Sequence, residues 1–225
     1  MKTVGVLGGM GPAATLDFLA TLHHATRAGR DQDHLRVITD SNPQVPDRNA
    51  ALRGEGPSPG PVLAAMARGL AAAGADLLVM PCNAAHAWTD EIRAATSLPF
   101  ISMIDAAAAE VDAAGASRIG LLAVDATLSS GLYQHRLARG DVTVLAPDRA
   151  EFMALIYRVK GGDTGPAVRA GMAALVAALV ADDADLILVA CTEVPLVLDP
   201  RDSPVAVVSS TGALVAATIA AAGSP

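Results

Sequence analysis

The 225-residue chain has two cysteines, and they occupy matching addresses. Cys82 ends the run ADLLVMPC and Cys191 ends ADLILVAC, with Asp76 and Asp185 each six residues before the sulfur and apolar residues filling most of the interval. Each cysteine is followed by a residue that can hydrogen-bond and open a helix, Asn83 or Thr192. A helix N-terminus favours thiolate over thiol, because its unpaired N–H groups and dipole stabilise negative charge. Two such thiols make a candidate acid and base. Inert packing suits one buried cysteine better than two at repeated positions. A metal shell is also poorly served: Cys82 and His86 offer two ligands at helical spacing, but the rest of a four-ligand zinc site is missing. The expectation is therefore no metal.

Two cations stand out as partners for an anionic substrate. Arg48 follows Pro46-Asp47, which places it at a turn or helix start near the end of a strand, where a guanidinium could fork onto a carboxylate. Lys160 is, with Lys2, one of two lysines in a chain whose other basic charge is arginine, and it precedes Gly161-Gly162. A third candidate is the glycine turn in GVLGGMGPAAT, residues 5 to 15, which has the spacing of a dinucleotide-binding loop. That loop requires an acidic residue about 20 positions on for the ribose. The best-placed one, Asp40, lies 26 beyond Ala14, and Pro12 removes a helix N–H that a phosphate would use. The turn reads instead as backbone brought close to a small anion at a helix N-terminus.

These residues must be positioned by an α/β scaffold. Strand-like runs are expected at Thr3–Leu7, Leu35–Thr39, Asp76–Met80, Pro99–Met103, Arg118–Ala123, Val142–Leu145, Asp185–Val189 and Val205–Val208. Alanine-rich helical segments alternate with them at Pro12–Ala28, Pro61–Ala73, His86–Ala95, Ala106–Ala114, Leu128–Arg139, Ala150–Val159, Pro166–Ala181 and Thr211–Ala222. This is the βαβ pattern of parallel sheets covered on both faces, whose strand carboxyl ends face the ligand crevice. The ADL repeat, together with the likeness of VGVLGGMGPAAT to IGLLAVDAT, divides the chain into two related Rossmann-like or flavodoxin-like halves. The expected boundaries are 1–98 plus 206–225 for one half and 99–205 for the other, with the site in the cleft between them.

Bulk properties narrow the partners. A net charge of −7 offers no basic surface to a nucleic acid, and 3% aromatic residues offer little for stacking on bases. The apolar stretch from Gly212 to Gly223 is shorter than the about 20 residues that cross a bilayer. The chain enters a strand within a few residues of Met1, without the charged and apolar regions of an export signal, so a cytoplasmic location is expected, where thiols stay reduced.

Taken in order, GGMGPAAT, PDR at Pro46–Arg48, MPCNAAH, LLAVDATLSSGLYQ, VKGG and ACTEVPL resemble the cofactor-independent aspartate/glutamate racemase family over nearly the whole chain. The resemblance implies two similar α/β domains about a pseudo-twofold, no cofactor, a homodimer, and a small dicarboxylic amino acid as substrate. It implies Cys82 and Cys191 as the two bases, one on each face of the substrate's Cα. It also implies Arg48 and Lys160 as carboxylate ligands, with Met10, Asn83, Thr127 and Thr192 lining the substrate. Ala84, Ala126 and Ala190 depart from the residues the family commonly has at these places, threonine, glycine and glycine. These departures bear on substrate choice more than on reaction type, and a related hydantoin racemase or maleate isomerase-like activity is the alternative. A nicotinamide-dependent oxidoreductase, a two-lobed binding protein and a pyridoxal-phosphate enzyme using Lys160 are weaker readings.

Overall fold

A computed structural model describes residues 1–138 and 142–223. Among the described residues the strands form two four-stranded sheets, parallel throughout. The first holds β1 (Val4–Gly8), β2 (Val37–Ser41), β3 (Leu77–Val79) and β4 (Phe100–Ile101) in the order β2-β1-β3-β4. The second holds β5 (Arg118–Leu122), β6 (Thr143–Leu145), β7 (Leu186–Val189) and β8 (Ala206–Ser209) in the order β6-β5-β7-β8. Adding four to every label turns one sheet into the other, so the internal repeat is a repeat of topology. The α/β class and the duplicated architecture expected from the sequence are what the chain adopts.

The repeated ADL motif has a mechanical cause. Asp76 accepts the Thr3 amide at 2.7 Å and returns its own amide to the Thr3 carbonyl at 2.8 Å. Asp185 does the same work in the second sheet, taking the Ser117 and Arg118 amides at 3.0 and 3.1 Å and donating to the Arg118 carbonyl at 2.8 Å. Each aspartate thus pins the start of one central strand to the start of its neighbour. The strands that follow are buried on both faces, which is why LLV and LILV read as unbroken apolar runs. Gly5 and Gly120 occupy equivalent central positions. A Cβ on Gly5 would come within 2.8 Å of Ala75 Cβ, and one on Gly120 within 2.7 Å of Ile187 Cδ1.

The helices cross between the sheets. Helix α5 (Met103–Ala114) follows β4 of the first sheet, yet Ile104, Ala107, Ala108 and Val111 are buried with Ile119, Leu121, Leu186 and Leu188 of the second. Helix α10 (Ser210–Ala222) follows β8 of the second sheet and buries Leu214 and Val215 with Val4, Val6, Leu77 and Val79 of the first. The expected domain boundaries therefore need correction in their strands: residues 100–101 pair with β3 and residues 206–209 pair with β7. Each of these strands stays beside the strand before it in the chain, and only the helix that follows changes sides.

Local boundaries also differ where capping was not anticipated. Ser102 Oγ accepts the Asp105 amide at 3.1 Å, so α5 starts at Met103 and cuts the expected strand Pro99–Met103 to two residues. The expected helix Leu128–Arg139 is two helices, α6 (Asp125–Ser129) and α7 (Leu132–Leu137), separated at Gly131, whose φ is 67°. Arg139 lies outside the described residues, as do the last two residues of the 206–225 segment. The expected helix His86–Ala95 opens as a 3₁₀ turn, Ala84–Trp88, before α4 (Thr89–Ala95). The turn or helix start expected at Arg48 is a short helix, α2 (Arg48–Leu52), which begins where Asp47 Oδ1 accepts the Ala50 amide at 2.7 Å.

The Gly5 contact is checkable. Gly5→Ala sets a methyl against Ala75 Cβ, which has no flexible end to swing aside, and is expected to lower unfolding free energy by about 1–3 kcal/mol. Gly120→Ala meets the mobile end of Ile187 and is expected to cost less. Urea midpoints of the two variants, with unchanged slopes, decide the order.

Candidate active site

Cys82 stands three residues beyond β3 and Cys191 two residues beyond β7, at the carboxyl ends of equivalent strands. Both thiols are free, buried, and line one inner cavity of about 20 Å³. Met10, Arg48, Asn83, Lys160 and Thr192 line the same cavity. Thr127 does not: it is fully buried on α6, its hydroxyl has no hydrogen-bond partner, and it lines neither this cavity nor the adjoining one. The contact across the halves at that point comes from its neighbour, as the Ala126 amide donates to Asn49 Oδ1 at 2.8 Å.

The Cys82 side is fixed by a buried histidine. His86 Nε2 takes the Met103 amide at 3.0 Å, so this nitrogen is the acceptor and Nδ1 carries the proton that reaches the Cys82 carbonyl at 2.8 Å. Burial lowers the His86 pKa to about 4, which keeps the ring neutral around pH 7. With both ring nitrogens engaged, His86 ties the cysteine's backbone to the first residue of α5. The Cys82/His86 spacing noted in the sequence is a positioning device.

Asn83 is equally committed. Its Nδ2 donates to Ser210 Oγ at 3.0 Å and its Oδ1 accepts the Tyr133 hydroxyl at 2.6 Å, and all three residues are buried. Burial raises the Tyr133 pKa, so its hydroxyl stays a donor. This network joins the turn after β3 to the start of α10 and to α7, which makes Asn83 a clamp in the cavity wall. Neither Tyr133 nor Ser210 was distinguishable by spacing, since their partner lies in the other half of the chain.

The cations and one unanticipated anion sit between the thiols and a larger cavity of about 550 Å³. Arg48 Nη1 donates to its own loop, to the carbonyls of Val45 at 3.2 Å and Pro46 at 3.0 Å, while its buried Nε has no partner. Lys160 is the last residue of α8 (Arg149–Lys160), and its Nζ lies 3.8 Å from Glu193 Oε1. Glu193 is 5% exposed and lines both cavities. Its Oε2 accepts Cys191 Sγ at 3.2 Å and Thr192 Oγ1 at 3.4 Å. Burial and the Glu193 charge together push the Cys191 thiol up, so it rests protonated. The sequence held Glu193 in view within ACTEVPL without revealing that it turns back to the sulfur two residues earlier.

The glycine turn completes the enclosure. Gly9 has a φ of +89°, and a Cβ there would fall 2.4 Å from the Asn42 backbone, so only glycine fits. Thr15 Oγ1 accepts the Gly9 amide at 2.8 Å and donates to the Gly11 carbonyl at 3.0 Å. No side chain caps α1 (Pro12–Ala25), and its first residues line the larger cavity beside Arg48 and Lys160. Asp40, the acidic residue that a dinucleotide would require, lines neither cavity.

Residues 7–218 match the family described as Asp/Glu/Hydantoin racemase, and the chain belongs to that family of isomerases. Among solved structures, the fold superimposes on aspartate racemase of Picrophilus torridus with a TM-score of 0.93 at 34% identity, covering 100% of this chain and 96% of that one. It also resembles the glutamate racemase of Francisella tularensis in complex with D-glutamate, with a TM-score of 0.73 at 16% identity over 98% of this chain and 80% of that one, a likeness of fold. The broad specificity amino-acid racemase RacX of Bacillus subtilis is 25% identical over 96% of both chains. Among the described residues no helix is long and apolar enough to cross a membrane.

His86 gives the site a pH signature. Its folded pKa, about 4, lies below the ordinary value of 6.5, so the unfolded chain binds the proton more readily. Its contribution is present in full above pH 6.5 and is lost as pH falls through 4, for a total of roughly 3 kcal/mol. Unfolding free energy measured between pH 4 and 7 should rise with pH, and His86→Gln should flatten that part of the curve.

Proposed function

We propose that the chain is an amino-acid racemase independent of pyridoxal phosphate, interconverting L- and D-aspartate or glutamate by proton transfer between two thiols and the substrate's Cα. The observation that carries this reading is the placement of Cys82 and Cys191, one from each repeat, on a single buried cavity that also presents an unpartnered Arg48 Nε and Lys160. A buried guanidinium nitrogen without an acceptor is costly, and a carboxylate satisfies it with a charge-assisted hydrogen bond. Lys160, the last residue of α8, supplies the second positive charge a dicarboxylic acid needs.

The roles follow from the electrostatics. Cys191, held as a thiol by burial and by Glu193, is the proton donor at rest, and the base role falls to Cys82. After one transfer on each face the protonation states are exchanged, and the opposite enantiomer is the substrate of that form. The energetic difficulty is the weak acidity of the α-carbon, since every pK unit of mismatch with the thiol adds about 1.4 kcal/mol. Charge developing on the α-carboxylate must therefore meet fixed donors in a dry site. We assign that work to Arg48 Nε and the backbone amides of the turns after each cysteine, where Asn83 and Thr192 are each 3% exposed. The clamp on Asn83 holds the first of these turns rigid.

Incubation with L-aspartate or L-glutamate in deuterated water, followed by proton NMR and optical rotation, tests the reading. Loss of the α-proton with loss of rotation is expected. Cys82→Ser and Cys191→Ser should each lower the rate by about 10²–10⁴-fold, the range for a positioned acid or base. Wild-type rates in either variant would overturn the two-thiol assignment. Arg48→Lys, which keeps the charge but loses the directed Nε donor, should lower kcat/KM by about tenfold or more.

A further inference from the structure

Glu193 is an anomaly in a cavity built for an anion. Two cations line the inner cavity, Arg48 and Lys160, yet a carboxylate faces the same space at 5% exposure. Its Oε2 is used by Cys191 and Thr192, whereas Oε1 is buried, accepts no hydrogen bond, and has only the 3.8 Å ion pair with Lys160. Oε1 points toward the glycine turn of the other half, for a methyl on Gly11 would lie 3.4 Å from it. A buried carboxylate oxygen is left short of donors only at a cost, and an incoming donor removes it. The substrate's carboxylates cannot fill that role, because they are acceptors and repel it.

We propose that Oε1 of Glu193 anchors the substrate's α-ammonium, so that this residue separates amino acids from acids lacking the amino group. The inference rests on the reading of the site as an amino-acid racemase and names what selects the substrate there. The charges support it. With both thiols protonated, Arg48, Lys160 and Glu193 sum to +1 in the inner cavity, and aspartate or glutamate carries a net −1 at neutral pH. A dicarboxylate without the ammonium carries −2 and leaves the site unbalanced. The geometry supports it as well: one carboxylate holds the sulfur of Cys191 on one oxygen and offers the ammonium the other, which sets Cα beside that sulfur. Lys160, released from its long ion pair, is then free to turn to a substrate carboxylate.

The test is calorimetric binding of L-aspartate and of succinate, which is aspartate without its amino group, to the wild-type chain, Glu193→Gln and Glu193→Asp. The wild type should prefer aspartate. In Glu193→Gln aspartate affinity should fall by about tenfold, as expected for a lost charge-assisted bond, while succinate affinity holds or rises, so that the preference collapses. Retained succinate binding shows that the variant is folded, and a glutamine that only disturbed packing would weaken both ligands in parallel. Glu193→Asp should keep part of the preference, and it reads the result if the glutamine variant fails to fold. An unchanged ratio of affinities in the variants overturns the ammonium anchor. With L-glutamate and glutarate run as a second pair, a wild type that binds none of the four acids overturns the functional reading beneath it.

Discussion

The site depends on two sheets being held together by helices that have changed sides. Helices α5 and α10 pack on one another, and each buries its apolar face on the sheet it does not follow. Neither sheet can move away from the other without exposing an apolar helix face to water, at about 25 cal/mol for each Å² uncovered. Polar contacts from the site are fastened to the same two helices. His86 joins the Cys82 carbonyl to the first amide of α5, and Asn83 is bonded to the first residue of α10. The ends of β3 and β7 are thereby fixed relative to each other by the packing that holds the whole molecule together, and the proposed proton transfer on two faces of one carbon would require that fixity.

Electrostatics then differentiates two thiols that the fold places alike. In the aligned turns, Cys82-Asn83-Ala84 stands opposite Cys191-Thr192-Glu193. The departure at Ala84 is therefore also the place where the repeat breaks: one sulfur has a methyl two residues on and the other a carboxylate. Burial alone would raise a thiol pKa, and the neighbouring negative charge raises that of Cys191 further. The two thiols thus have unequal electrostatic surroundings, with a carboxylate hydrogen-bonded to Cys191.

Much of this was legible in the sequence, for reasons that can be given residue by residue. The ADL repeat could be read because Asp76 and Asp185 bond to backbone at the start of the adjacent strand, a local task that keeps residue type and spacing together. Cys82, Arg48 and Lys160 could be read because strand ends and turns fix their positions before any long-range packing is known. The helix exchange could not, since α5 and α10 show the same alanine-rich pattern whichever sheet they cover. Nor could the partners of Asn83, which lie 50 and 127 residues away. Nor could the link between the halves through the Ala126 amide and Asn49, since a backbone donor is not announced by side-chain chemistry.

The asymmetry of the two turns also explains why duplication did not produce two identical half-sites. A substrate with one ammonium and two carboxylates has no twofold axis, so a fully symmetric cavity would hold it in two orientations, one of them with the ammonium against a cation. A second carboxylate at position 84 would lower the charge of the inner cavity by one and weaken its hold on an acid of net charge −1. Under the proposed reading, an alanine there and a glutamate at 193 leave one place for the positive group and one orientation for Cα between the two sulfurs. The fold supplies the symmetry that the proposed chemistry at Cα requires, and the difference between Ala84 and Glu193 removes the symmetry that the proposed binding mode would not tolerate.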